Sequence, residues 1–297
     1  MRAALFLFLF AFVVFGISSK TFASETTREF TVGDVTVWAI ADSLGERDMS
    51  VFIGLDPEVQ KQYAPDGKSP SAIMAFLVKT KGETILIDAG MNGLFPNGLS
   101  EVAVAEGLRG AEDVTKILIT HMHGDHIVGL ARDGKRAFPN ALVLASKQER
   151  DFWLDEKSVE LFPNRKAGFD SARQIMGIYG SDAKTFEYGD VVVKGEDFEL
   201  KAIDARGHTP GHTVFMLSSG GERLLFWADL SHAASLQFPR PDINATYDMN
   251  PDEAAKTRLH FMELAAAEKL TIAGAHLPFP GVGTVEKAPV GYIYKSR

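Results

Sequence analysis

Apolar positions along this chain come in short blocks. After Arg2 an apolar run extends from Ala3 to Ile17, followed by a polar stretch from Ser18 to Ser24. The run is short for ~30 Å of hydrocarbon, which takes about 20 residues, and suits the core of a signal peptide. Thr21-Phe22-Ala23 places small residues three and one positions before a cut between Ala23 and Ser24. The expectation is a signal peptide over residues 1–23, export to the periplasm or beyond, no stable membrane insertion afterwards, and one catalytic domain over residues 24–297. Within that domain, short apolar runs predict buried strands at Val35–Ile40, Ala72–Lys79, Thr84–Asp88, Val114–Thr120, Ala141–Ala145, Phe198–Ile203, Thr213–Leu217 and Arg223–Trp227. Helical stretches are interleaved at Gly98–Glu106, Lys147–Phe152 and Ser171–Ile178. A last helix opens Asn250-Pro251-Asp252-Glu253: Asn suits the cap, Pro the first helical position, and Glu253 can complete a capping box. Strands mixed with helices throughout predict a layered α/β domain, without saying which layering.

Charge and composition narrow the chemistry. The net charge is −8, and loss of Arg2 and Lys20 with the leader would make it −10. An acidic protein is poorly suited to gathering phosphodiester backbones, so no nucleic-acid partner is expected. There is no cysteine, hence no disulfide framework, no lipoprotein anchor, and no thiolate to serve as nucleophile or metal ligand.

The segment that carries chemistry is Thr120-His121-Met122-His123-Gly124-Asp125-His126, directly after an apolar strand. Three imidazoles and a carboxylate gathered there match the usual nitrogen and oxygen ligands of transition-metal ions. His121 and His123 alternate along extended backbone and can face one ion. Asp125 and His126 lie past a glycine that permits a sharp turn, so they can reach a second ion. Further ligand types stand where other strands run out: His208 and His212 in Gly207–Thr213, Asp229 after Phe226-Trp227-Ala228, and His276 after Ala273-Gly274-Ala275.

The order His-x-His-x-Asp-His, then Gly-x-His, then a strand-closing Asp, then a late His resembles the metallo-β-lactamase fold family over essentially the whole mature chain. Within it the sequence is most similar to the methyl parathion hydrolase group of organophosphate hydrolases and related lactonase-like enzymes. That likeness is carried by Pro139-Asn140-Ala141 with Lys147-Gln148-Glu149, Asp151-Phe152-Trp153, Gly207–Thr213, Ala228-Asp229-Leu230-Ser231-His232 with Gln237-Phe238-Pro239, and Ala275-His276-Leu277-Pro278-Phe279-Pro280-Gly281. The resemblance implies an αββα four-layer sandwich with the site at one edge of the two sheets. It implies one metal on His121, His123 and His212, another on Asp125, His126 and His276, and Asp229 bridging them. His208, Asp88 and His232 are then supporting residues around the ligands. Ala228 stands where the family often has Gly; a positive φ there would cost Ala about 1 kcal/mol.

Two divalent ions, most simply Zn2+ with Mn, Fe or Co as alternatives, would lower the pKa of a shared water so that hydroxide exists at neutral pH. Asp125 is the expected proton acceptor. The expected substrate is a small neutral ester-type molecule: an organophosphate triester, a lactone or an aryl ester, with Phe95 and Trp153 as apolar walls for the leaving group. The alternatives are a β-lactam or thioester hydrolase, or an iron-dependent redox member of the fold. A homodimer is one possible assembly.

Overall fold

The computed structural model describes residues 25–297, so the expected leader lies outside the described residues. Two seven-stranded sheets dominate. The first contains β1 (Thr27–Val32), β2 (Val35–Asp48), β3 (Lys68–Lys79), β4 (Thr84–Ile87), β5 (Lys116–Leu118), β8 (Leu142–Ser146) and β9 (Ala183–Phe186), in that spatial order. Its first four strands run antiparallel, and β4, β5, β8 and β9 run parallel. Strands β6 (Ala131–Arg132) and β7 (Lys135–Arg136) form a separate small ribbon. The second sheet runs β10 (Val191–Lys194), β11 (Phe198–Asp204), β12 (Thr213–Ser219), β13 (Glu222–Ala228), β14 (Thr271–Gly274), β15 (Val282–Lys287) and β16 (Tyr292–Ser296). It is antiparallel except for the β13–β14 pair, whose crossover is the helix Pro251–Glu268.

The layering follows from strands that are apolar on both faces. Along β3 and β4, Phe76, Ile85 and Ile87 point into the core between the sheets, whereas Leu77 and Leu86 join a second core beneath the helices of the first sheet. Along β13, Leu224 and Phe226 face the inter-sheet core, and Leu225 and Trp227 pack on Phe261, Met262 and Ala265 of the long helix. Period-two alternation between two apolar environments reads in sequence as a continuous hydrophobic run. The result is helix, sheet, sheet, helix, the expected αββα sandwich. The strands that sequence patterning passed over include β1, β9 and β16, which lie at sheet edges and carry mixed polarity.

The last helix begins where expected. Asn250 Oδ1 accepts from the Glu253 backbone N–H at 3.3 Å, with Pro251 in the first turn. The Glu253 carboxylate accepts from the Asn250 side-chain amide at 3.0 Å rather than from its backbone.

Candidate metal centre

Because β4–β5 and β13–β14 are parallel pairs, their carboxyl ends deliver polar residues to one edge of the sandwich. Asp88 follows β4, the segment His121–His126 follows β5, Asp229 follows β13 and His276 follows β14. The β11–β12 connection adds His208.

One group consists of His121, His123, His208 and Asp229. His123 Nδ1 lies 3.1 Å from His121 Nε2 and 2.9 Å from His208 Nε2. The opposite ring nitrogens define which proton each imidazole carries. His208 Nδ1 donates to Asp248 Oδ1 at 2.8 Å, and His121 Nδ1 meets the Thr120 hydroxyl, which itself donates to Asp88. The neutral rings of His121 and His208 therefore present Nε2 lone pairs, directed with His123 Nδ1 at one point, although Asp229 and Asp248 raise His208 against the effect of its burial. Burial holds His121 and His123 well below the ordinary histidine range. Lone pairs converge stably only around a shared cation.

A second group consists of Asp125, His126 and His276. His276 Nε2 lies 3.2 Å from Asp125 Oδ2 and 3.1 Å from Asp229 Oδ2, while His126 Nε2 lies 3.2 Å from Asp229 Oδ1. Asp229 thus stands between the groups and presents an oxygen to each. Here too the outer nitrogens are committed: His126 Nδ1 to Asp88 Oδ2 at 2.8 Å and His276 Nδ1 to the Ala72 carbonyl at 2.8 Å. Burial pushes His276 down, but the charges of Asp229 and Asp125 overcome it and lift the ring to about 9. His126 is raised well above its usual value against the same burial, chiefly by Asp229. The carboxylates respond in kind: despite burial, Asp229 and Asp125 are driven far below the normal range by the facing imidazoles, His126 first.

The atoms left over fit metal ions. His126 Nε2 and Asp229 Oδ1, both facing into the centre, are buried without a hydrogen-bond partner, a costly state for a polar atom in a dry site. Where His126 Nε2 faces Asp229 Oδ1 at 3.2 Å, the carboxylate charge is answered by a proton on the raised imidazole, and a metal cation can take that proton's place. All-nitrogen and carboxylate donors suit zinc and its first-row neighbours.

The structure corrects three expectations. His212 is not in the cluster. Its Nδ1 donates to the Ala205 carbonyl at 3.0 Å and its Nε2 accepts the Asp229 backbone N–H at 3.3 Å, so both ring nitrogens serve the backbone. Burial depresses it to about 3, keeping it neutral in that role. His208 takes the place assigned to it. Trp153 is fully buried, its Nε1 donating to Glu149 at 2.6 Å and its indole packed edge-on behind His123. Phe95 packs on Phe138 and beneath Arg132, away from the cleft. Neither aromatic is a cleft wall.

Asp88 supports the histidine cluster from behind, also accepting the Thr120 N–H at 2.8 Å. His232 Nε2 touches Asp229 Oδ2 at 3.0 Å and its ring stacks on His276. Ala228 does adopt positive φ, at 48°. Patterning missed Glu149, whose buried carboxylate accepts from Met122 N, Trp153 Nε1, Thr209 Oγ1 and Gly211 N at 2.6–2.8 Å, tying the two histidine-bearing loops together. A Cβ on Gly211 would fall 2.1 Å from the Glu149 nitrogen, which accounts for the glycine. It also missed Asp248, Arg47, Arg165 and Tyr247, single polar residues on loops or at a strand end with no local signature. The last three line a cleft of about 280 Å³ together with Asp125, Asp229 and His276.

The Metallo-beta-lactamase superfamily model matches residues 69–276. A solved structure described as the hydrolase AbOPH in the beta lactamase superfamily is 33% identical and superposes with a TM-score of 0.82, covering 92% of this chain and 97% of the other. AidC, described as a dizinc quorum-quenching lactonase, is 27% identical with a TM-score of 0.79 and the same coverage of both chains. Exodeoxyribonuclease WalJ of Streptococcus pneumoniae serotype 2 is 32% identical over 128 residues, 42% of this chain and 41% of that protein. The chain thus spans about two fifths of that curated relative. Sheet topology, donor order and family match agree: the chain belongs to the metallo-β-lactamase superfamily, as a metal-dependent hydrolase.

Proposed function

We propose that the chain binds two divalent transition-metal ions and uses them to hydrolyse a neutral ester-type bond in a small molecule, a lactone or carboxylic ester in the first place and an organophosphate triester in the second. The observation that carries this reading is Asp229 set between two groups of inward-facing imidazoles at the floor of a solvent-connected cleft. His121, His123 and His208 would hold one ion, Asp125, His126 and His276 the other, with Asp229 shared. Bound there, the ions would supply an ionised water at neutral pH and polarise the oxygen under attack. The chain's own residues do the rest. Asp88 and Asp248 hold His126 and His208 in the ligating tautomer, and Asp125, whose side chain is 27% exposed, is the carboxylate placed to take up a proton beside the substrate.

Small-molecule chemistry is supported by the size of the cleft, by the acidic chain, and by likeness over nine tenths of the chain to AbOPH and AidC. The test is to express the mature chain with Zn2+ or Mn2+, measure metal content, and assay lactone, aryl ester, phosphotriester, β-lactam and single-stranded DNA. About two ions per chain and chelator-sensitive cleavage of the ester-type substrates are expected. One ion or none, or robust nuclease activity without esterase activity, would overturn the reading. We also propose export with residues 1–23 removed; a periplasmic protein whose intact mass still begins at Met1 would refute it.

A further inference from the structure

Two cations stand in the cleft that the hydrolytic chemistry does not use. Arg47 comes from the far end of β2 and Arg165 from the turn before the helix Lys166–Tyr179, and both line the same cavity as Asp125 and Asp229. Several other arginines are neutralised locally, Arg109, Arg136, Arg206, Arg223 and Arg240 each holding a carboxylate. Among the described residues neither Arg47 nor Arg165 has such a partner.

The hydrogen bonding of Arg47 is incomplete in a telling way. Its Nε is buried and unpartnered. Its Nη2 lies 3.3 Å from His276 Nδ1, but that nitrogen already donates its proton to the Ala72 carbonyl and has nothing to accept with. The guanidinium lies 5.7 Å over the Tyr247 ring, which fixes its plane, and the Tyr247 hydroxyl is likewise buried without a partner. Arg165 is half-buried, with a single long bond of 3.3 Å to the Thr246 carbonyl. The carboxylates nearby do not answer these donors, because Asp125 and Asp229 face the histidines and Asp248 faces His208 and Arg258. Unanswered guanidinium donors held against an aromatic face form a receptor for an oxyanion, which a planar fork binds by two parallel hydrogen bonds.

Resting on the hydrolytic reading above, we propose that Arg47 and Arg165, with the Tyr247 hydroxyl, bind a permanent anionic group of the substrate, a carboxylate or phosphate set apart from the neutral bond that is cleaved. The natural substrate is then a charged small ester or lactone, not the wholly apolar molecule that aromatic walls would select.

The experiment uses the metal-loaded mature chain and two aryl esters with the same leaving group, one carrying a free terminal carboxylate and the other its methyl ester. Wild type should favour the carboxylate ester in kcat/KM by tenfold or more. That preference should fall at least tenfold in Arg47→Gln and Arg165→Gln, with Arg47→Lys between, at unchanged metal content and melting temperature. In parallel, calorimetry on the metal-free chain measures binding of glutarate and of inorganic phosphate. Whichever binds names the anion, and its binding should weaken in both Gln variants. Equal loss on both esters, or anion binding indifferent to the two substitutions, would overturn the proposal. If wild type cleaves neither ester while anion binding still depends on the arginines, the receptor stands and the hydrolytic reading is what fails.

Discussion

His208 and His212 sit four residues apart in one turn, are both fully buried, and differ only in what their nitrogens meet. One spends a single nitrogen on Asp248 and turns the other inward; the other spends both on backbone groups. His208→Ala should therefore lose the metal shared with His121 and His123, read as a drop of about one ion per chain by elemental analysis. His212→Ala should keep near-full stoichiometry and instead lower the melting temperature, since the Asp229 N–H and the Ala205 carbonyl lose buried partners at about 1–3 kcal/mol for each such group. The reverse pattern would restore the sequence-based assignment. A second prediction concerns Ala228, which holds φ 48° at an irregularity in the β13–β14 pairing, immediately before Asp229. Glycine takes that conformation without the Cβ penalty, so Ala228→Gly should stabilise the fold by up to about 1 kcal/mol. A lower melting temperature for Ala228→Gly would show that its buried methyl outweighs the strain.

At the scale of elements, the donors come from separate connections, and something must hold those connections in register. Glu149, in the first turn of the helix Lys147–Leu154, performs this task with four accepted hydrogen bonds, two to each oxygen. Burial pushes its carboxyl up, while these donors oppose that shift. Replacing it with Ala strands Met122 N, Gly211 N and the Trp153 indole in a dry interior, at a cost of about 1–3 kcal/mol for each such group. Glu149→Gln keeps shape but puts a donor where two donors already point. Both variants should lose metal affinity before they lose secondary structure, seen as weakened zinc retention against a graded chelator while far-ultraviolet circular dichroism is unchanged. Full zinc retention in Glu149→Gln would mean that the two loops are held by other contacts, such as the Thr213 N–H to the Thr120 carbonyl. Strands flanked by a core on both faces were legible in the sequence because each position in them is apolar. Edge strands such as β1 and β16 were not, because half of their positions meet water and their pairing partners lie on one side only.

For the whole molecule, the site is a dense cluster of charge that must be neutralised by protons or by metal. His276 is raised from 6.5 to about 9 by Asp229 and Asp125 in the metal-free chain. Its folded value lies above the unfolded one, so the stability it contributes is complete below about pH 6.5 and is lost as pH rises through about 9. Ion binding requires the neutral ring, hence metal uptake near pH 7 should expel protons, and affinity should weaken as pH falls. Calorimetry of zinc binding in two buffers of different ionisation heat checks this, with at least about one proton released per chain at pH 7 as the expected result. No proton release, together with an affinity flat from pH 6 to 8, would contradict it. The sequence by itself determined the layered class, the donor types and six of the seven ligand positions proposed here, because metal chemistry demands clustered imidazoles and carboxylates and β-strands place them at fixed alternation. Only the tertiary structure decided between His208 and His212, removed Phe95 and Trp153 from the cleft, and brought Arg47 and Arg165 into it. Those choices depend on which nitrogen finds a backbone partner and which side chain faces a cavity, and contacts between separate connections, from His208–Asp248 to Arg47–His276, leave no local pattern to read.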